Sequence, residues 1–370
     1  MENTKFKYAC PLPFNHMAVR PDGQVMPCCI YRWGDIPSDL NIFHNDPLNH
    51  PYMKDLREQM RSDAPVSGCS YCYKAEELNG KSMRTEMWDE SKKYGLSSLE
   101  NNTPPELTYL DLSISNTCNN KCRMCMPELS TSWYADAKQL GYGIPKGIIT
   151  NPLIENGDFS KLKYLKLLGG EPLLEQDKLI KILKQCDLPN LRISLITNTT
   201  VIPTDELHNL FTQCKKVSVT LSMDATGALN EFLRKGSDWS KTVETVEWFI
   251  SNNYDLSVHS VASIYNINVL DQLTEFCKSK KLPQKSVLVD GPKYMMPRNL
   301  PVQVKEKLKK HLEKDKNDAI INTVIEELSV PGNFNVFVNE DVKMNKLRNE
   351  HWKHANPELY DLLKGYGIHD

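Results

Sequence analysis

From residue 107 onward the chain alternates between two rhythms of apolar and polar positions. Short, mostly apolar runs at 107–114, 163–168, 192–197, 217–222, 256–264 and 286–290 read as strands. Between them, residues 128–140, 175–186, 204–213, 240–252 and 268–280 repeat their apolar positions at helical spacing. Six strands with helical crossovers between them predict a parallel sheet that is either open or curved into a partial barrel. In both arrangements ligands meet the carboxyl ends of the strands. Before residue 105 the texture is different. That segment is rich in Pro, Asn, Asp and Cys, shows helical spacing only at 51–63 and 83–95, and is too irregular for a core of its own. The expected organisation is therefore an irregular segment 1–104, a strand–helix core 105–290 and an extension 291–370. In the extension, 304–318 reads as a solvated helix face.

Composition narrows the function classes. The chain has 370 residues, 40% of them hydrophobic, and a formal net charge of −2 from 45 basic and 47 acidic side chains. That balance disfavours a polynucleotide substrate or an anionic membrane partner. No apolar run approaches the roughly 20 residues of a membrane span, and the first residues lack a signal-peptide layout, so a cytoplasmic location is expected. In that compartment thiols stay reduced, and the eleven cysteines point to metal or catalysis rather than disulfides. Eight of the eleven precede residue 126.

The densest group is "SNTCNNKCRMCMPELS" at 115–130, with Cys118, Cys122 and Cys125 just after the first strand of the core. Structural zinc takes four protein ligands, and an iron–sulfur cube takes one thiolate per iron. Three thiolates leave one iron of a [4Fe–4S] cube open to a substrate or cofactor. Buried thiols or a partial zinc site are the plainer alternatives.

The spacing C-x3-C-x2-C, with Met124 before the last cysteine, resembles the defining loop of the radical S-adenosylmethionine (radical SAM) superfamily. The resemblance implies a partial (β/α)6 TIM-like barrel in which the open iron of the Cys118/Cys122/Cys125 cube chelates SAM. One electron then cleaves SAM to methionine and a 5′-deoxyadenosyl radical. Gly169, Gly170, Glu171 and Pro172 in "KLLGGEPLLE" match the family's GGEP motif, which binds the SAM amino group. Glycines there let the backbone approach a ligand. "SLITNTT" resembles the family's TNG segment through Thr197 and Asn198, with Thr199 where a glycine is usual. In "VSVTLSMDAT", Ser222 and Asp224 match an S-x-D pattern found near the SAM ribose and carboxylate. Polar turn residues at strand ends are the competing reading for these four side chains. Ser260 and Asn266 are further candidates near the adenine or methionine moiety.

A second constellation lies upstream. Cys10, Cys28, Cys29, Cys69 and Cys72, with "CSYC" as a C-x2-C knuckle and Gly23 five residues before Cys28, resemble a SPASM or twitch domain. Leu78 stands where a full SPASM domain continues with another cysteine, so the shortened twitch form fits better. The resemblance implies one auxiliary iron–sulfur cluster, of [4Fe–4S] type, on Cys10, Cys28, Cys69 and Cys72, with Cys29 as a substitute for Cys28. Zinc remains the alternative metal. Such domains usually follow the barrel, whereas this one precedes it. Cys186, Cys214 and Cys277 read as core thiols.

The implied function is a radical SAM enzyme that abstracts hydrogen from its substrate, with a reductant such as flavodoxin or ferredoxin. The family points to a peptide or protein substrate. A small-molecule dehydrogenase or mutase is the alternative, and a metal-binding protein without SAM chemistry is a third class, which the GGEP segment disfavours. The extension is expected to cap the barrel, with Tyr294, Arg298 and His351 as candidate pocket residues.

Overall fold

The computed structural model describes residues 6–32, 34, 36–44, 46–94, 105–313 and 319–368. Parts of the expected helices at 83–95 and 304–318 lie outside these residues. The chain divides into two compact units: Met1–Asn116 with Ile148–Leu195 and Pro203–Val217, and Thr117–Gly147 with Ile196–Ile202 and Ser218–Asp370.

The first unit holds β1 (His16–Val19), β2 (Val25–Met26), β3 (Tyr109–Ser113), β4 (Tyr164–Leu168) and most of β5 (Arg192–Thr197). Their order is β2-β1-β3-β4-β5, parallel except for the β1–β2 pair. Three of these strands were expected. The Pro- and Cys-rich segment also contributes β1 and β2, and β1 pairs with β3. β1 has four residues and all four are buried, so it shows no alternation to read.

Because side chains alternate across a strand, β3, β4 and β5 separate into two faces. Leu110, Leu112, Leu165, Leu167, Ile193 and Leu195 form an apolar face that is fully out of water. The opposite face carries His16, Tyr109, Tyr164 and Arg192 in one row, and Ala18, Asp111, Lys166 and Ser194 in the next. Helices Gln176–Leu183 and Asp205–Gln213 of this unit pack on each other. The second is capped by Thr204, whose side chain accepts from Leu207 N.

The second unit holds β6 (Lys216–Ser222), β7 (Asp255–Ala262) and β8 (Gln284–Leu288), in that order and parallel. Each lies within two residues of its expected position. Among the described residues β2 and β8 have one neighbour each, so the strands of this α/β fold are not closed, as the expected partial barrel requires. The C-terminal helices Val302–Leu312, Ala319–Ser329, Phe334–Arg348 and Pro357–Leu363 are more than a cap. Leu308, Val324, Phe337, Trp352 and Leu359 share one core with Leu233, Ile264, Tyr265 and Val289. Among the described residues no helix is long and apolar enough to cross a membrane.

Candidate functional site

The cysteine loop after β3 has no regular secondary structure, and its shape is set by bonds to its neighbours. Lys121 N donates to Lys235 O (2.7 Å), Arg123 N to Leu233 O (2.8 Å) and Cys125 N to Cys122 O (3.1 Å). Trp133 Nε1 donates to Cys122 O at 2.9 Å, and Ser132 Oγ to Cys118 O at 2.7 Å. Gly236 has φ +108°, and a Cβ there would fall 2.5 Å from Asn119 O, so only glycine lets the chain pass this close.

Cys122 is buried, while Cys118 and Cys125 are half-buried. Burial pushes the Cys122 thiol up to about 12 and Cys125 up to about 11, with Arg234 pulling both down. Cys118 raises both of them and Cys125 raises Cys122, so as thiolates they need a cationic partner, which the irons of an iron–sulfur cube supply. Met124 packs against the core of its unit.

The GGEP segment follows β4. Gly169 has φ +129°, and a Cβ on it would meet Ser115 O at 2.7 Å. Gly170 N donates to that same carbonyl at 2.8 Å. Two glycines therefore press the turn against the residues just after β3. Glu171 is buried, and its Oε1 accepts from Leu173 N at 3.0 Å, capping the turn that begins at Pro172.

At the end of β5, Thr199 adopts φ +67°. It thus keeps the left-handed conformation of the glycine expected there, although it is β-branched and fully buried. Thr199 N donates to Thr197 Oγ1 at 3.1 Å. Asn198 Oδ1 accepts from Thr200 N (3.1 Å) and Thr200 Oγ1 (2.6 Å). Its Nδ2 donates to Asn119 Oδ1 at 2.8 Å and lies 3.7 Å from Cys118 Sγ. Asn198 therefore reaches the cysteine loop itself.

Ser222 ends β6 half-buried. Asp224 is buried with both oxygens turned to the protein, Oδ1 accepting from Val261 N at 2.8 Å and Oδ2 lying 2.8 Å from Arg234 Nε. Its partner Arg234 is the cation beside Cys122 and Cys125, a residue that the S-x-D pattern does not announce. Ser260 shares its hydroxyl with Ser286 Oγ at 2.6 Å, and Asn266 bonds Ser263 N, Asp224 O and Val261 O. In the extension, Arg298 pairs with Glu327, and His351 Nδ1 accepts from Lys353 N. Tyr294 is half-buried against the core of its unit, and its phenol is pushed up to about 12.

In the first unit Cys10, Cys28, Cys69 and Cys72 line one small, almost wholly apolar cavity with Leu12, Ile30 and Arg84. Cys29 does not line it. Its Sγ lies 3.8 Å from Lys166 Nζ and 3.8 Å from Met83 Sδ. Gly68 makes room for the cavity wall, since a Cβ there would overlap the Tyr31 ring at 2.0 Å. Burial raises all four lining thiols, Cys69 to about 12, while Arg84 lowers Cys10, Cys69 and Cys72. Four convergent thiols and a guanidinium in an apolar pocket fit an anionic four-thiolate cluster. Among the described residues no three His, Cys, Asp or Glu are grouped to hold a single metal ion, so the fit rests on the donor sets.

The polar face of the first unit was not foreseen. Asp111 is 1% exposed, with His16 Nε2 3.5 Å and Lys166 Nζ 3.7 Å away. His16 Nδ1 sits 3.0 Å from Pro27 O, the carbonyl just before Cys28.

Residues 112–276 match the family model of the Radical SAM superfamily, and residues 10–73 match the SPASM model, an iron–sulfur cluster-binding domain. The chain carries a radical SAM domain. Its iron–sulfur cluster-binding domain precedes that domain, as the cysteine pattern suggested. Among curated proteins the chain is similar to a probable GTP 3′,8-cyclase of Methanocaldococcus jannaschii, 30% identical over 182 residues, covering 47% of this chain and 56% of that protein. It is also similar to GTP 3′,8-cyclase 3 of Mycobacterium bovis, 26% identical over 177 residues, covering 46% and 45%. The chain thus spans about half the length of the curated relatives it matches. Among solved structures, anSMEcpe with bound AdoMet is 21% identical, covers 56% of this chain and 59% of that chain, and has a TM-score of 0.40. Streptococcus suis SuiB bound to S-adenosylmethionine is 14% identical, covers 67% and 57%, and has a TM-score of 0.36. Likenesses this loose carry no functional weight.

Proposed function

We propose that this radical SAM protein holds a [4Fe–4S] cluster on Cys118, Cys122 and Cys125, binds SAM at the open iron, and abstracts hydrogen from a peptide or protein substrate. The cluster and SAM together supply a 5′-deoxyadenosyl radical once an electron arrives from a reductant such as flavodoxin or ferredoxin. The observation that carries the reading is the donor set of the loop after β3: three thiols and no fourth, on a domain of the radical SAM superfamily.

The chain's own residues have separable tasks. Gly169 and Gly170 bring backbone close to the SAM ammonium, Pro172 holds that turn, and Glu171 caps it while its carboxylate charge serves the ammonium. Thr197 and Asn198 fix the end of β5 against the cysteine loop, and Ser222 and Asp224 serve the ribose and carboxylate side, Asp224 by holding Arg234. Met124 packs the loop onto its core. Cys10, Cys28, Cys69 and Cys72 hold an auxiliary [4Fe–4S] cluster, and Cys29 belongs to the polar face with Lys166. The working division is 1–104 for the auxiliary cluster, 105–290 for the SAM core and 291–370 for the extension. A cytoplasmic setting suits free thiols in such number.

The peptide reading is supported by the SPASM-type domain. A small-molecule substrate is the second reading, favoured by curated relatives named as GTP 3′,8-cyclases. Anaerobic protein reconstituted with iron and sulfide should form 5′-deoxyadenosine from SAM with a chemical reductant. Deuterium moving from a labelled peptide into 5′-deoxyadenosine supports the first reading. Transfer only from labelled GTP or another small molecule replaces it with the second.

A further inference from the structure

Two charged residues lie between Cys118 and Cys125, Lys121 and Arg123, and cluster ligation explains neither. Arg123, between Cys122 and Cys125, is completely buried. Its Nη2 donates to Asn345 Oδ1 at 2.6 Å and to Glu350 Oε1 at 2.7 Å, and its Nη1 lies 3.7 Å from Asp341 Oδ1. The guanidinium also stacks 3.8 Å above the Phe232 ring. Among the described residues its hydrogen bonds and ion pairs all go to residues 341–350, more than two hundred positions along the chain.

The partners are themselves held. Asp341 accepts from Tyr265 OH (2.6 Å), from Trp352 Nε1 (2.9 Å) and from Asn345 Nδ2 (2.9 Å). A second tie runs through Asp136, which takes Lys121 Nζ at 2.9 Å and Arg348 Nε at 2.8 Å. Arg348 covers Trp133, the residue whose indole N–H holds the Cys122 carbonyl. A third joins Lys235 to Glu350 at 3.1 Å, and the Lys235 carbonyl receives Lys121 N. Both flanks of Cys122 are therefore tied to the helix Phe334–Arg348 and the turn after it.

We propose that residues 334–352 clamp the cluster loop, with Arg123 as the positioning residue that sets the spacing of Cys122 and Cys125. The inference rests on the reading of Cys118, Cys122 and Cys125 as ligands of the SAM-binding cluster. A loop without regular structure keeps three sulfurs in place only if its side chains are anchored elsewhere. A guanidinium fork suits the task because two donors in one plane fix orientation as well as distance.

The test uses the full chain reconstituted with iron and sulfide, in the variants Arg123→Met, Arg123→Lys and Asn345→Ala. Arg123→Met should hold about four irons in place of about eight, one cube of four having been lost, and SAM should no longer change its electron paramagnetic resonance signal. Arg123→Lys, which keeps the charge and loses the fork, should keep the irons and bind SAM more weakly. Asn345→Ala leaves no buried charge unpaired. It should stay folded, unfolding somewhat below the wild-type temperature for loss of its bonds to Arg123 and Asp341, and lose iron to a chelator several-fold faster from the SAM-binding cluster. Arg123→Met with about eight irons and a wild-type SAM response overturns the clamp. If that variant fails to fold, wild-type chelation kinetics in Asn345→Ala overturn it instead. Parallel Cys118, Cys122 and Cys125→Ala protein separates the two claims. SAM cleavage by that protein defeats the ligand reading, whereas its loss beside a wild-type Arg123→Met defeats the clamp alone.

Discussion

Replacing Thr199 by glycine should stabilise the protein. Thr199 holds φ +67° while fully buried, and its Oγ1 is out of water without a hydrogen-bond partner. The left-handed backbone costs an L-residue about 1–2 kcal/mol, and a buried unpaired hydroxyl costs about 1–3 kcal/mol. Glycine removes both. Against this stand about 0.5–1 kcal/mol of extra backbone freedom in the unfolded chain and about 0.8 kcal/mol for each buried carbon removed. The balance favours Thr199→Gly by about 1 kcal/mol. The bond from residue 199 N to Thr197 Oγ1 is made by backbone and survives. Thr199→Ala separates the terms, because alanine sheds the hydroxyl but keeps the backbone penalty; the chain freedom and the buried methyl that glycine gives up offset that penalty, so alanine should lie within about 1 kcal/mol of glycine. Denaturant unfolding of wild type and both variants, followed by tryptophan fluorescence, measures the midpoints at constant slope. A glycine variant less stable than wild type would refute the reasoning and mean that the threonine side chain makes a contact worth more than its strain.

Three other outcomes follow from the same structure. Cys28→Ala should cost about four irons and Cys29→Ala none, read by iron analysis of reconstituted protein, because only Cys28 lines the four-thiol cavity. Glu171→Gln should keep its cap on Leu173 N and the iron content while weakening SAM binding about tenfold to a hundredfold, as expected for loss of a charge-assisted bond. An unchanged SAM titration would leave Glu171 with the turn alone. For Asp111, burial opposes the charge, but Lys166 and His16 outweigh it and hold the carboxyl below its ordinary value. A carboxyl depressed by folding adds stability above its unfolded pKa and loses it as pH falls through the folded value. Asp111→Asn should therefore be less stable than wild type at pH 7, and the gap should close below about pH 4. A gap independent of pH across that window would contradict the ion pairing.

Much of this protein is legible without coordinates where the signal is local. The strands from Tyr109 to Leu288 are apolar runs bounded by turns, and the spacing of Cys118, Cys122 and Cys125 lies within eight residues. What escaped is either too short or too distant. His16–Val19 is four buried residues with no alternation, and Gly227–Leu233 is a helix of under two turns. Arg123 looks like any surface arginine until residues 341–350 come to rest on it. The charged face of Asp111 and Lys166 is hidden inside strands whose apolar residues dominate the pattern. Cys28 and Cys29 are adjacent and chemically identical in sequence. They differ only in direction, one side chain entering the thiol cavity and the other meeting Lys166.

The central claim is that three cysteines after β3 hold the cluster that opens SAM. The most direct test is anaerobic 5′-deoxyadenosine formation, measured with iron content, in wild type and in protein with Cys118, Cys122 and Cys125 all changed to alanine. The account predicts about eight irons and reductant-dependent product in the wild type, against about four irons and no product above the no-enzyme rate in the variant. Product from the variant at the wild-type rate would contradict it.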